Sequence, residues 1–187
     1  MSGGFHYEGY AIVSADGMIA DSDGRMPPAL QNPADARFFS ESLDRAAVLV
    51  HGRHSHEGHR NSPRRRRVVL TRRAMAIAAD PEAPHSVLWN PAGAPFSAAC
   101  EALGIAGGTA AILGGPEVFA LFLEFGYERF LLSRAAEFSL PGGLPIFGRG
   151  RLPADEALAA AGLTPGQKRW LDRDAGVSLT VWRKAAD

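Results

Sequence analysis

The stretch Ala110–Phe119, AAILGGPEVF, constrains this chain more than any other: a short apolar run passes straight into two glycines and a proline, and Val118, Phe119, Leu121, Phe122 and Phe125 follow at helical spacing. A strand apolar at successive positions is buried on both faces, as strands of a parallel sheet are. Proline is tolerated in a first helical turn, so the junction reads as strand, tight turn, helix. The rest of the chain repeats that alternation. Strands are predicted at Tyr7–Ser14, Ala46–His51, Arg67–Thr71, Ser86–Trp89, Thr109–Leu113 and Tyr127–Ser133. Helices are predicted from Pro33 to about Asp44 and from Phe96 to Ile105, the second ended by Gly107 and Gly108. The tail from Gln167 to Trp182 reads as an antiparallel hairpin turning at Asp172–Gly176. Residues 21–33, with Asp21, Ser22, Asp23, Gly24, Pro27, Pro28, Asn32 and Pro33, suit neither ladder nor helix and read as a long mobile loop. The expected architecture is α/β, a mostly parallel central sheet with one antiparallel C-terminal edge, in a single domain over residues 1–187.

Composition narrows the function classes. Hydrophobic residues make up 46% and charged residues 21%, values of a chain that buries a core. Twenty basic residues balance twenty acidic ones, so no global field draws nucleic acid or an anionic membrane. No apolar run approaches the roughly 18 residues of a membrane span, and no basic-then-apolar leader opens the chain. The one cysteine, Cys100, sits among Phe96, Ala99 and Leu103 as a small core residue would. The expectation is a cytoplasmic protein without disulfides or membrane contact.

Four places could carry chemistry. Gly114 and Gly115 let backbone approach a ligand, and the helix behind them offers amides and a positive dipole end to phosphate, although a tight turn alone explains the same residues. At His51–Glu57 (HGRHSHE) a second strand-to-helix junction presents arginine, histidine and serine, which suit a diphosphate. Histidines 51, 54, 56 and 59 invite a zinc reading, but on a helix only His56 and His59 share a face and no cysteine or carboxylate pair completes a set, so no metal is expected. Arg53, Arg60, Arg64–Arg67, Arg72 and Arg73 form a basic segment against the single acid Glu57. A solvated loop and a nucleic-acid patch are the ordinary explanations, the second without interleaved aromatics for base stacking. Arg72 and Arg73 also follow a strand at its carboxyl end, where guanidinium suits the 2′-phosphate of NADP. Asp35, lastly, lies in a first helical turn, where it favours the dipole; under the preceding loop and beside Phe38 and Phe39 it would become a desolvated acid with a raised pKa.

Together and in this order, NPADARFF (Asn32–Phe39), GRHSHE (Gly52–Glu57) and ILGGPEVF (Ile112–Phe119) resemble the dihydrofolate reductase superfamily over about residues 9–147. SADGMIA (Ser14–Ala20) is similar to the Ser-x-Asp-Gly-x-Ile-Ala pattern of the riboflavin-pathway reductase domain, a relative of the same fold. The resemblance implies a three-layer dihydrofolate reductase-like fold and an NADPH-dependent reductase. Its hydride would go to a C=N bond of a riboflavin-pathway aminopyrimidine, of the 5-amino-6-(5-phosphoribosylamino)uracil type, or of dihydrofolate or another pterin. It makes Asp35 the substrate carboxylate, supported by Ser133, with Ile12, Ile19 and Phe39 around the substrate. It gives the cofactor Arg53, His54, Ser55, Thr71, Arg72, Arg73, Gly114, Gly115, Pro116, Glu117 and Val118, with Gly114 and Gly115 joined by a cis peptide. Arg65 or Arg66 matches an arginine that holds the folate glutamate.

The chain also departs from these relatives. The loop carries Met26, Pro27 and Pro28 in place of a tryptophan, and Tyr10 replaces a lysine common in the riboflavin branch. PGGLP (Pro141–Pro145) stands where folate enzymes carry Asp-Thr-x-Phe-Pro, so weak support for the first loop is expected. LPIFG (Leu144–Gly148) and SADGMIA lean toward the riboflavin intermediate, Asp35 and GRHSHE toward a folate-like ligand. A nucleotide-binding protein of this fold without turnover, and a basic nucleic-acid module, are the competing classes. The partner is a small molecule; a homodimer is left open.

Overall fold

The structure is a computed structural model that describes residues 4–55 and 60–185. In chain order the elements are β1 (Phe5–Ser14), β2 (Met18–Ala20), α1 (Pro33–Leu43), β3 (Val48–Gly52), β4 (Arg67–Leu70), β5 (Ile77–Ala79), β6 (Ser86–Trp89), α2 (Phe96–Ala102), β7 (Gly108–Gly114), α3 (Pro116–Phe125), β8 (Arg129–Ala135), β9 (Leu144–Pro145), α4 (Ala154–Ala160), β10 (Leu163–Pro165), β11 (Arg169–Asp172) and β12 (Val177–Lys184). Ten strands form one sheet in the order β10-β12-β8-β1-β7-β3-β4-β6-β5, with β11 also on β12; β2 and β9 pair separately. The run from β8 through β6 is parallel, as the double-faced apolar strands require.

Side chains on the central strands alternate between two covered faces. Val13, Val48, Val50, Ala110, Ile112, Phe130 and Leu132 pack with Phe96 and Cys100 of α2, Phe119 and Phe122 of α3, and Leu158 of α4. Tyr10, Leu49, Ala111 and Leu131 face the other way and meet Leu43 and Phe39 of α1. The molecule is therefore three-layered, and among the described residues α1 is the one α-helix on its face.

Several expectations needed correction. An antiparallel strand edges both sides of the sheet, because β5 turns back on β6 through the bends after Thr71. Helix α2 stops at Ala102, ended by Gly104 at φ +68° and not by Gly107 and Gly108. The loop of residues 21–33 contains a 3-10 turn at Pro28–Leu30 and is tied by Asp21, whose carboxylate accepts from the Asp23 and Arg25 amides at 2.9 Å each. PGGLP supports the first loop after all: β9 pairs with β2, and a Cβ on Gly143 would stand 2.6 Å from the Ala20 carbonyl oxygen. Among the described residues no helix is long and apolar enough to cross a membrane.

Candidate active site

Helix α1 starts at Pro33 because Asn32 stops the extended chain and caps the first helical turn. The Asn32 Oδ1 accepts from the Ala34 amide at 2.9 Å and the Asp35 amide at 3.1 Å, and its Nδ2 donates to Asp172 Oδ2 at 2.9 Å. A residue of the C-terminal hairpin thus fixes the start of α1. Asp35 projects from that turn into a cleft of about 840 Å³ between α1, the 15–32 loop and the adjoining strands. Tyr10, Ile12, Leu30, Phe39, Leu113 and Leu131 make the lining mainly apolar. Among the described residues only Arg25, Asp35 and His54 bring an ionisable acid or base to it, apart from the Tyr10 phenol. That phenol is engaged: it donates to Glu8 Oε2 at 2.7 Å, and Glu8 also pairs with Arg129.

Burial raises the Asp35 pKa above the ordinary carboxylate value, and a hydrogen bond with the Ser133 side chain offsets part of that rise. Ser133 stands beside Ile12 in the β1–β8 register, so one pair of strands supplies the hydroxyl and the apolar floor next to it. A carboxyl so placed can hold a proton closer to neutrality than an exposed one. When ionised it accepts hydrogen bonds from a heterocycle with adjacent N–H groups.

The cleft's other end is built by the ends of β3 and β7. After Gly52 the chain turns, with the Ser55 amide donating to the Gly52 carbonyl at 3.0 Å, and His54 and Ser55 line the cleft. The Gly114–Gly115 peptide is cis. Gly114 adopts φ +95°, and a Cβ there would lie 2.5 Å from the Phe119 ring, so only glycine fits. Gly115 differs: a Cβ would meet nothing nearer than Ser55 Oγ at 3.8 Å, which leaves its backbone open to approach. Gly115 and Pro116 line the cleft. The Val118 and Phe119 amides donate back to the Gly115 carbonyl at 3.0 Å each, and Val118 is buried facing Gly52.

The structure thus brings Ile12, Ile19, Asp35, Phe39, Ser133, His54, Ser55, Gly115 and Pro116 to one cleft. Arg53, Thr71, Arg72, Arg73, Gly114, Glu117 and Val118 do not line it. Arg53 lies beside His54, its Nη2 3.3 Å from His54 Nε2. Thr71 is buried, with its hydroxyl oxygen accepting from the Arg73 amide at 3.2 Å. Arg72 and Arg73 are exposed at the end of β4, and Arg72 pairs with Glu117 at 3.1 Å. His51 is buried against the Gly52 carbonyl and Arg67; His56, Glu57 and His59 lie outside the described residues. Among the described residues no three His, Cys, Asp or Glu side chains gather as metal ligands.

Sequence reading missed Arg25, Leu30 and Leu131 as lining residues. Leu131 could have been found by strand alternation, since it stands two positions from Ser133 on the same face. Arg25 gives no such signal, because its place depends on how Asp21 folds the loop.

No protein-family model matches the chain, and no curated protein matches it. Solved structures do match along 97% of it. A protein of Shewanella sp. PV-4 whose name places it in riboflavin biosynthesis is 20% identical, is covered along its full length and aligns at TM-score 0.66. The diaminohydroxyphosphoribosylaminopyrimidine deaminase/5-amino-6-(5-phosphoribosylamino)uracil reductase of Thermotoga maritima is 16% identical at TM-score 0.63, and the chain spans 57% of its length. Dihydrofolate reductase of Enterococcus faecalis, solved with NADP(H), is 17% identical, covered along 97% of its length, at TM-score 0.65. The chain has the dihydrofolate reductase-like fold. Within that fold its neighbours are riboflavin-pathway and folate reductases.

Proposed function

We propose that the protein is an NADPH-dependent reductase that delivers hydride to a C=N bond of a small heterocyclic substrate, with Asp35 as the substrate carboxylate. The observation that carries this reading is a single cleft holding both halves of such a site: Asp35 with Ser133 at one end, the His54–Ser55 and Gly115–Pro116 turns at the other.

The residues fit a dinucleotide phosphate. Gly115 leaves the space that a side chain would fill, His54 and Ser55 offer donors beside it, and Arg53, Arg72 and Arg73 bring positive charge to the same end of the sheet. Arg53, His54 and Ser55 with the Gly114–Val118 turn would hold the diphosphate; Thr71, Arg72 and Arg73 would hold the 2′-phosphate side. When bound, the cofactor's nicotinamide supplies the hydride. The chain's own residues do the remaining work. Phe39, Ile12 and Ile19 pack the substrate ring, the 15–32 loop excludes water, and Asp35 orients the ring and favours protonation of the imine nitrogen.

Of the two substrate classes, the phosphorylated aminopyrimidine is favoured by where the cations stand. Arg65, buried beside the C-terminal half of α1, is engaged by Asp44 at 2.6 Å and by Ser40, whereas among the described residues the Arg25 side chain, which reaches the cleft, has only a loose, exposed contact to Asp23 at 3.6 Å. An anionic substituent therefore meets a freer cation at the loop end than at the α1 end. The pterin reading rests on the Asp35–Ser133 pair, which suits a ring bearing adjacent N–H donors. NADPH oxidation followed with each substrate tests the proposal. Turnover of either supports it, and cofactor binding without turnover of any C=N substrate leaves a nucleotide-binding protein of the same fold.

A further inference from the structure

The four-arginine run, of which the resemblance uses only Arg65 or Arg66, is divided by the fold, and neither of those two lines the cleft. Arg65 and Arg67 turn inward: Arg65 onto Asp44 and Ser40, Arg67 onto the Ser62 hydroxyl at 2.6 Å and His51 Nε2 at 3.3 Å. Arg64 and Arg66 are exposed, and no acid pairs with either among the described residues. Both line an open groove of about 660 Å³ at the end of the sheet opposite the Ser55–Gly115 turns. Its wall is the Gly104–Gly107 turn before β7, and Ala46 and Ala47 close it before β3. The cleft follows α1 from Pro33 to Ser40, whereas the groove opens past the helix's C-terminus, at Leu43 and Asp44.

Charge in this groove is one-sided. Among the described residues Asp44 is its only acid, and it already accepts from Arg65 and from Asn61 Nδ2. Two further donors lie in the same wall: among the described residues neither the Ala106 nor the Gly107 amide finds a backbone or side-chain acceptor. Unpaired guanidinium forks beside free amides in a concave wall match the oxygens of a phosphate group better than a monovalent anion. Leu43, Ala46 and Ile105 add an apolar floor.

We propose that this groove is a second, non-catalytic site for a small phosphate-bearing molecule, held by Arg64, Arg66 and the Ala106–Gly107 backbone. It is independent of the reductase reading. The test is titration calorimetry of the full chain with inorganic pyrophosphate, with and without saturating NADPH, on the parent protein and on Arg64→Ala/Arg66→Ala. Both arginines are exposed, so the variant keeps its fold, checked by an unchanged Tm. Pyrophosphate should bind with NADPH present, and the double variant should weaken it by roughly 100-fold, about tenfold per guanidinium. Arg64→Lys/Arg66→Lys should recover part of that loss. The proposal is overturned if pyrophosphate does not bind, if NADPH displaces it, or if the double variant binds it equally well. It is overturned too if a single-stranded 12-mer binds through these arginines more tightly than pyrophosphate, since that marks an extended polyanion surface and not a small-molecule site.

Discussion

Replacing Asn32 by alanine tests whether the C-terminal hairpin holds the acid of the cleft in place. The substitution removes the acceptor for two amides of the first α1 turn, Ala34 at 2.9 Å and Asp35 at 3.1 Å, in a residue only 8% exposed. Loss of an asparagine cap costs about 1 kcal/mol, and partial burial of the orphaned amides moves the expectation to roughly 1–2 kcal/mol. The bond from Nδ2 to Asp172 gives the loss a pH signature. The Asp172 pKa lies below the ordinary carboxylate value, chiefly because Asn32 donates to it and then because the Ala175 amide does. A depressed carboxylate pKa contributes stability that is present above its unfolded value, near 4, and is lost as pH falls through the folded value. Urea unfolding of Asn32→Ala, Asp172→Ala and the double variant, at pH 7 and in steps down to pH 3, should therefore show two things. Asn32→Ala loses roughly 1–2 kcal/mol at pH 7, and the acid-range slope contributed by Asp172 becomes shallower in that background. The two substitutions should also be non-additive. A loss under about 0.5 kcal/mol, or strict additivity with an unchanged acid slope, refutes the reasoning and leaves the Asn32–Asp172 contact without energetic weight.

Asp35→Asn should keep NADPH binding and lose most turnover; because the native carboxyl is held above its ordinary pKa, removing its charge should also raise stability at pH 7, a gain that fades at acid pH. Equal turnover would return Asp35 to a merely dipole-favouring role. Arg72→Ala/Arg73→Ala should weaken NADPH about tenfold and NADH little, a modest factor because Arg72 is 81% exposed and shared with Glu117; fluorescence titration of both cofactors decides, and equal weakening excludes the 2′-phosphate assignment. Gly114→Ala should cost roughly 2–5 kcal/mol, from the positive φ and the contact with Phe119 together, whereas Gly115→Ala should cost stability little and cofactor affinity more; equal melting losses for the two would contradict that division.

The parts of this molecule legible in its sequence are those governed by local rules. Ala110–Pro116 announces a buried parallel strand and its turn because every position there is either apolar or conformationally special, and β7 with α3 lies there. Ser86–Trp89 keeps its expected bounds for the same reason. Elements that owe their existence to a distant partner are invisible in the sequence. Neither β2 nor β9 has a strand signature of its own, and each exists because the other lies across from it. Strand β5, three residues long with two exposed alanines, is held by β6 alone. The cleft divides likewise. Asp35 and the glycine turns can be read from residue type and order, but the division of the arginine run into inward and outward members depends on where Asp44 and Ser62 fall in three dimensions.

The sheet order also sets a schedule for biosynthesis. Strand β1 lies between β7 and β8, so its two neighbours are Gly108–Gly114 and Arg129–Ala135, roughly a hundred residues further along. At about 5–20 residues per second on the ribosome, β1 waits about 5–20 seconds for a flank. Strands β3, β4 and β6 meanwhile already have one another. A nascent chain cut short after β6 leaves β1 with both edges bare and its Val13 face uncovered, a state that pairs with other chains as readily as with its own. Release of the N-terminal half alone should yield aggregate, and the protein's first encounter in the cell should be with whatever shields an unpaired strand until β7 emerges.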